Sequence, residues 1–285
     1  VYVPMLYEPS YSSDGTIQEI KPRGEGIPAR VRKRVVKSLD EAYYPEKPIV
    51  PYMTIVHDRA VLEVMRGCQR GCRFCQAGMV YRPLRERSLE TLRKQAQAQL
   101  YSTGYEEISL ASLSTLDYSG VDSLVHELVK EYGSQGIGVS LPSLRVDAFS
   151  IDLANEVQKV RKTTLTLAPE AGSQRMRDII NKNVSEEQLL EAAQAAFKSG
   201  WLAIKLYFMI GLPTETNADV LAISDLLNRV AALGREKLGS RRGRLRISAS
   251  VGCFVPKPHT PFQWWGQDDP ASLDEKQKLL LNSLH

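Results

Sequence analysis

The chain has 285 residues, of which 43% are hydrophobic and 25% charged, and carries a net charge of +4. That balance excludes a disordered, collagen-like or disulfide-dense chain, and the length suits one large domain or two small ones. No apolar run approaches the ~18 residues of a membrane span; the longest, Leu206 to Leu212, is interrupted by Gly211 and stopped by Pro213.

The sequence begins at Val1 with no charged segment leading into an apolar core. It therefore reads as lacking a signal peptide and as an internal piece of something longer. Residues 1–56 hold seven of the 15 prolines. Proline is excluded from helix interiors and central strands, so this stretch is expected to be an irregular, wrapping N-terminal extension. Ser13-Asp14-Gly15-Thr16 is a hairpin signal within it. Arg30, Arg32, Lys33, Arg34 and Lys37 form a basic run that suits a solvated face or a nucleic-acid patch.

From Ala60 onward short apolar runs alternate with helical patterns. Strands are expected over Ala60–Met65, Glu107–Ala111, Ile137–Leu141, Thr163–Leu167, Leu202–Ile210 and Arg244–Val251. Helices are expected to open at Ser88, Ser119, Ser150 and the capping box Ser185-Glu186-Glu187-Gln188. Another carries Ile223, Leu226, Leu227 and Val230, and the last opens at a second capping box, Ser272-Leu273-Asp274-Glu275. Strict alternation implies parallel strands with right-handed crossovers. A doubly wound sheet and a partial barrel both satisfy it.

Three of the four cysteines fall in the loop after the first strand, Arg66-Gly67-Cys68-Gln69-Arg70-Gly71-Cys72-Arg73-Phe74-Cys75, with spacing C-x3-C-x2-C. Such a cluster, without an export signal, reads as a metal or redox site in a reducing, cytoplasmic setting. Glycines let the backbone bend around something bulky, and Arg66, Arg70 and Arg73 favour thiolate and offset cluster charge. Three thiolates suit a [4Fe–4S] cluster with one iron left open. Structural zinc would need a fourth ligand, His57 or Cys253, and an electron-transfer ferredoxin would need four local cysteines. Unligated thiols are the remaining alternative.

Cys68, Cys72, Phe74 and Cys75, after a first strand and opening a β/α series, resemble the signature of the radical S-adenosylmethionine (radical SAM) enzymes. The resemblance implies an α/β fold: a partial (β/α)6 TIM-type barrel with parallel strands over residues 57–285, preceded by the Pro-rich extension over 1–56. It implies a [4Fe–4S] cluster on Cys68, Cys72 and Cys75 whose open iron binds S-adenosyl-L-methionine (SAM). It also implies reductive cleavage of SAM to methionine and a 5′-deoxyadenosyl radical. Ser112 and Ser114 fall where such enzymes bind the SAM amino group, and Arg145 where they meet its carboxylate. Glu170 falls where ribose hydroxyls are bound, with Arg175 fixing either Glu170 or the SAM carboxylate. Gly211, in Gly211-Leu212-Pro213-Thr214-Glu215-Thr216, falls at the turn facing adenine, with Thr214 in place of a usual glycine. Cys253, Lys257 and His259 sit on the substrate side.

Several strings are similar to a narrower uncharacterised bacterial radical SAM family with a cobalamin-binding-like domain before the barrel and a domain of unknown function after it. They are the cysteine loop through Gly78, Arg82-Pro83, Leu113-Ser114-Thr115, Ala168-Pro169-Glu170-Ala171-Gly172-Ser173 and Pro256 through Phe262. By that likeness the chain is the central piece, and cobalamin belongs to the longer protein if it is used. The implied partners are SAM, an electron donor such as flavodoxin or ferredoxin, and an RNA or protein substrate, with no membrane. Methyl- or methylthio-transfer is the implied class of chemistry. The competing reading is a zinc- or cluster-stabilised RNA-binding module without SAM turnover.

Overall fold

The computed structural model describes residues 2–53, 55–141 and 165–284. Two compact units are present, Val1–Lys37 and Ser38–His285. In the first, β1 (Tyr7–Tyr11) and β2 (Ile17–Pro22) form an antiparallel hairpin. Its turn is closed by Asp14, whose Oδ1 accepts from the Thr16 amide at 3.0 Å and hydroxyl at 2.7 Å, with Gly15 at φ 83°. The Tyr7 hydroxyl donates to the Pro28 carbonyl at 2.8 Å, and the basic run from Arg30 to Lys37 is exposed.

In the second unit, Leu39 is fully buried and Asp40 accepts from the Ser88 amide. The carbonyls of Pro45 and Glu46 accept from Gln99 and Ser102, so the Pro-rich stretch is divided between the two units. The repeating elements follow in chain order: β3 (Ala60–Glu63), β4 (Met65–Arg66), α1 (Gln76–Val80), β5 (Arg85–Glu86), α2 (Leu89–Thr103), β6 (Glu107–Ala111), α3 (Val121–Tyr132) and β7 (Gly138–Ser140). After the residues not described come β8 (Leu165–Glu170), α4 (Gln174–Ile179), α5 (Glu186–Lys198), β9 (Ala203–Ile210), α6 (Asn217–Leu238), β10 (Arg246–Cys253) and α7 (Pro270–Ser283).

Two parallel three-stranded sheets result, ordered β3-β6-β7 and β10-β9-β8. This is the α/β, partial (β/α)6 arrangement; among the described residues no strand pairing closes a ring. Each sheet buries one face on its helices. Leu62, Ile108, Leu110 and Val139 meet Leu92, Ala96, Leu124 and Leu128. Leu167, Leu206 and Phe208 meet Leu189, Phe197, Ile223 and Val230. Burial alternates along β9, as a pleated strand with one core face requires.

Three local expectations are corrected. The first apolar run is not one strand: it breaks at Val64, and β4 turns away to pair antiparallel with β5. Ser119 does not cap α3, whose N-cap is Gly120; the Ser119 amide and hydroxyl instead donate to the Glu86 carboxylate. The last helix starts before Ser272, because Pro270 takes its first position and Asp269 caps it, accepting from the amides of Ala271 and Ser272. The capping boxes at Ser185 and at Thr216 with Asp219 are both formed, and Ser88 caps α2. The helix expected from Ser150 lies outside the described residues.

Candidate active site

The cysteine loop leaves β4 through Gly67, at φ 94°. A Cβ there would come within 2.7 Å of the Pro83 carbonyl and 2.8 Å of that of Tyr81, so only glycine lets the segment pass. Gly71 also adopts a left-handed φ, 72°. Cys75 caps α1, its sulfur accepting from the Gly78 amide at 3.4 Å, and its own amide reaches the Cys72 carbonyl at 3.1 Å. Cys68, Cys72 and Cys75 are all partly exposed.

Three separate segments clamp this loop. From the end of α4, Asn181 donates to the Gly71 carbonyl at 2.9 Å, and the Ile180 carbonyl accepts from the Arg73 amide at 2.9 Å. From the loop after β10, the Phe262 amide donates to the Arg73 carbonyl at 3.3 Å and the Pro258 carbonyl accepts from Gln76 at 3.2 Å. From the loop after β6, Asp117 receives Arg70 Nε at 2.7 Å. Phe74 packs on a small apolar core at the strand ends, formed by Ala171, Met176, Ile180, Leu212, Phe254 and Phe262.

The loop arginines differ from expectation. Arg66 makes two 2.7 Å bonds to Glu63, and Arg70 is paired with Asp117. Arg73 donates to the Ile179 carbonyl. Arg66 and Arg70 are thus neutralised by carboxylates and act as braces, because a guanidinium beside a carboxylate satisfies that partner first. The Arg66 hydrogen bond holds the Glu63 carboxyl below its usual range despite partial burial.

The other expected residues sit at the strand ends. Ser114 is buried, and its hydroxyl donates to Asp117 at 2.7 Å while its amide donates to Ser112 at 3.1 Å. Both serines therefore belong to a closed turn tied to the cysteine loop through Arg70. Arg145 lies outside the described residues. Glu170 ends β8 at φ 69°, a conformation rarely adopted outside glycine, and Lys182 donates to it at 3.1 Å. Arg175 does not fix Glu170: it donates to the Thr214 carbonyl at 2.9 Å and pairs with Asp219. Its place near the start of α4 aims it at the cap of α6.

Asp219 also accepts from Ser173 at 2.6 Å and from the Thr216 amide and hydroxyl at 2.9 and 2.7 Å. Burial pushes its carboxyl up, but Arg175, Ser173 and Thr216 together outweigh that and hold it well below the usual carboxylate range. Gly172 lies so close to α6 that a Cβ would meet the Ile223 amide at 2.3 Å. Gly211, at φ 77°, donates its amide to Glu215 at 2.7 Å, and Lys276 joins Glu215 to Asp268 at 3.0 and 2.6 Å. Burial raises the Glu215 carboxyl, opposed by the Gly211 amide and Lys276. Cys253 and His259 are exposed; the sulfur of Cys253 meets Gln277, not the cysteine loop.

Asp117, Asn181, Lys182, Asp219 and the fully buried Arg177 were not singled out from sequence. Arg177 donates to the carbonyls of Ala171 and Gly172 at 3.1 and 2.8 Å and to that of Val184 at 3.1 Å, holding the loop after β8. Asn181-Lys182-Asn183 did carry a faint signal, since asparagine is favoured at the left-handed φ that Asn181 and Asn183 adopt.

Among the described residues no three His, Cys, Asp or Glu side chains are gathered so as to hold one metal ion. A cubane does not ask for that, because each thiolate takes a different iron. A glycine-hinged loop with three partly exposed cysteines, braced from three other segments, fits such a group.

A family model described as the radical SAM superfamily matches residues 62–227. The chain is 35% identical over 203 residues to an uncharacterized protein of Methanocaldococcus jannaschii, covering 71% of this chain and 42% of that one. It is 25% identical over 211 residues to the ribosomal protein uS12 methylthiotransferase RimO of Pseudothermotoga lettingae, covering 69% and 49%. The chain thus spans less than half the length of these two relatives. Among solved structures it resembles TsrM of Kitasatospora setae, a radical S-adenosylmethionine methyltransferase with cobalamin and a [4Fe–4S] cluster bound. The TM-score is 0.55 at 14% identity, over 71% of this chain and 38% of that one, a likeness of fold.

Proposed function

The chain belongs to the radical SAM superfamily, whose enzymes use a [4Fe–4S] cluster and SAM, and on that premise we propose that Cys68, Cys72 and Cys75 hold the cluster here. When bound, this pair supplies reductive cleavage of a sulfonium, giving methionine and a 5′-deoxyadenosyl radical. The carrying observation is the loop itself: three thiols at the end of the first parallel strands, braced by Asn181, Asp117 and the Phe262 segment. Functional groups gather at this end of such barrels.

In this reading Glu170, set at its left-handed φ and oriented by Lys182, accepts hydrogen bonds from ribose hydroxyls. Gly211 belongs to the turn facing adenine, a turn held by its amide bond to Glu215 and by the close approach of Leu273 and Asp268. Ser112 takes the SAM amino group and Arg145 the carboxylate, while Ser114 braces the turn that carries Ser112 and Arg175 the loop after β9 that follows Gly211. Phe74 packs beneath the cluster loop. The small apolar core keeps water from this side of the site, protecting a reactive radical.

The wider reading is methyl or methylthio transfer to RNA or protein in the cytoplasm, with an electron donor of the flavodoxin or ferredoxin kind and, in the longer protein, cobalamin. The names of RimO and TsrM support the class of transfer. The exposed basic run from Arg30 to Lys37 favours a polyanionic partner. Among the described residues no helix is long and apolar enough to cross a membrane.

Anaerobic reconstitution tests the core of the proposal. About four irons per chain are expected, the content of one cluster, with 5′-deoxyadenosine formed from SAM under a strong reductant. A Cys68→Ala variant that keeps the full iron–sulfur spectrum overturns the assignment. Tight zinc and RNA binding without SAM turnover favours the binding module instead.

A further inference from the structure

The β8–β9–β10 sheet buries Leu167, Leu206 and Phe208 on its helices and turns a polar face the other way. In register, Lys205 of β9 stands between Thr166 of β8 and Ser248 of β10, and Tyr207 stands beside Ser250. Paired positions of a parallel sheet project to one side, as do residues two apart on a strand. Arg246, two residues before Ser248, therefore joins the same face.

This face carries two cations and four hydroxyls. Among the described residues none of these six side chains has a hydrogen bond or ion pair; the one contact is Lys205 Nζ over the Tyr207 ring, 4.8 Å from its centroid. Tyr207 is 37% exposed, and Arg246 and Ser248 are exposed. The remaining positions on this face of β8 and β10 before the loops are small, Ala168 and Gly252. The nearest acid along β8, Glu170, lies past the register shift and is held by Lys182.

We propose that this face binds a phosphate group of the substrate, an inference that rests on the radical SAM reading and names the substrate class for it. Charge complementarity selects an anion. The donors select phosphate over carboxylate: an arginine fork, an ammonium and four hydroxyls exceed what two carboxylate oxygens accept, whereas a terminal phosphate offers three oxygens and up to two charges. Lys205 lies five positions before Ile210, about 16 Å along the strand. The phosphate thus sits well below the strand ends that hold the cofactor residues, and the substrate must span that depth.

The test uses the full chain, with and without reconstituted cluster, titrated calorimetrically with inorganic pyrophosphate and with succinate. Pyrophosphate is expected to bind more tightly than succinate. K205M should weaken pyrophosphate at least tenfold, while K130M, an exposed lysine on α3, leaves it unchanged. Equal loss in K130M, no loss in K205M, or succinate binding as tightly as pyrophosphate would each overturn the proposal. Should K205M fail to fold, R246Q on the exposed strand is read by the same criteria. The affinity is read independently of iron content, so loss of the iron–sulfur spectrum bears on the cofactor assignment and leaves this result standing.

Discussion

The side-chain amide of Asn181 donates to the carbonyl of Gly71 at 2.9 Å, across 110 residues of sequence. It ties the middle of the cysteine loop to the end of α4, between Cys68 and Cys72. Asn181 sits at φ 54°, so a change to alanine would add backbone strain to the loss of the bond. Asn181→Gly separates the two, keeping the conformation and removing the amide. It should cost about 1 kcal/mol of stability and speed iron loss to a chelator. Unchanged iron retention would show that the clamp is not needed to hold the loop.

Thr214 adopts φ 65°, an outlying conformation for a β-branched residue. Its family-typical counterpart, by the resemblance above, is glycine. Thr214→Gly relieves strain and adds unfolded-state entropy, with a net gain of about 1 kcal/mol expected. Thr214→Ala keeps a Cβ and should gain less. Urea unfolding midpoints of the two variants decide this, and a T214G variant less stable than T214A would refute it.

Asp219 links the loops after β8 and β9 through Ser173, Arg175 and Thr216. Its folded carboxyl titrates below the unfolded value of 3.8, so its stabilisation is fully present above that pH. The contribution is lost as pH falls through the folded value. Asp219→Asn should cost about 2 kcal/mol near neutral pH, the scale of hydrogen bonds to a charged group, with the gap to the parent shrinking below pH 3.8. A gap that stays constant from pH 7 to pH 2, followed by urea unfolding, would exclude a role for the ionised carboxylate.

Cys253 is exposed and touches Gln277 rather than the cysteine loop. Cys253→Ala should leave both iron content and the iron–sulfur spectrum unchanged. A change in either would bring Cys253 into the metal site, as a zinc reading with a fourth ligand requires.

Sequence periodicity located the strand–helix alternation because the signal is local: each strand buries one face and each helix one stripe, so the apolar spacing repeats. Ser88 and Ser185 were legible for the same reason, since a cap and its helix lie within four residues. The C-x3-C-x2-C pattern was legible because it lies within eight residues, and its role as the cluster site is the proposal made above. Ser119 and Ser272 misled because a nearby carboxylate and an Asp-Pro pair competed for the same backbone groups.

What only tertiary structure decided was the set of partners. Arg66 and Arg70 went to Glu63 and Asp117, Arg175 to Asp219 and Lys182 to Glu170. Asp117, Asn181 and the Phe262 segment came to brace one loop from three distant places. Charge and hydrogen bonding act over a few ångströms of space, whatever the separation along the chain. The order of residues sets which groups exist and at what local spacing, while folding alone sets which of them meet.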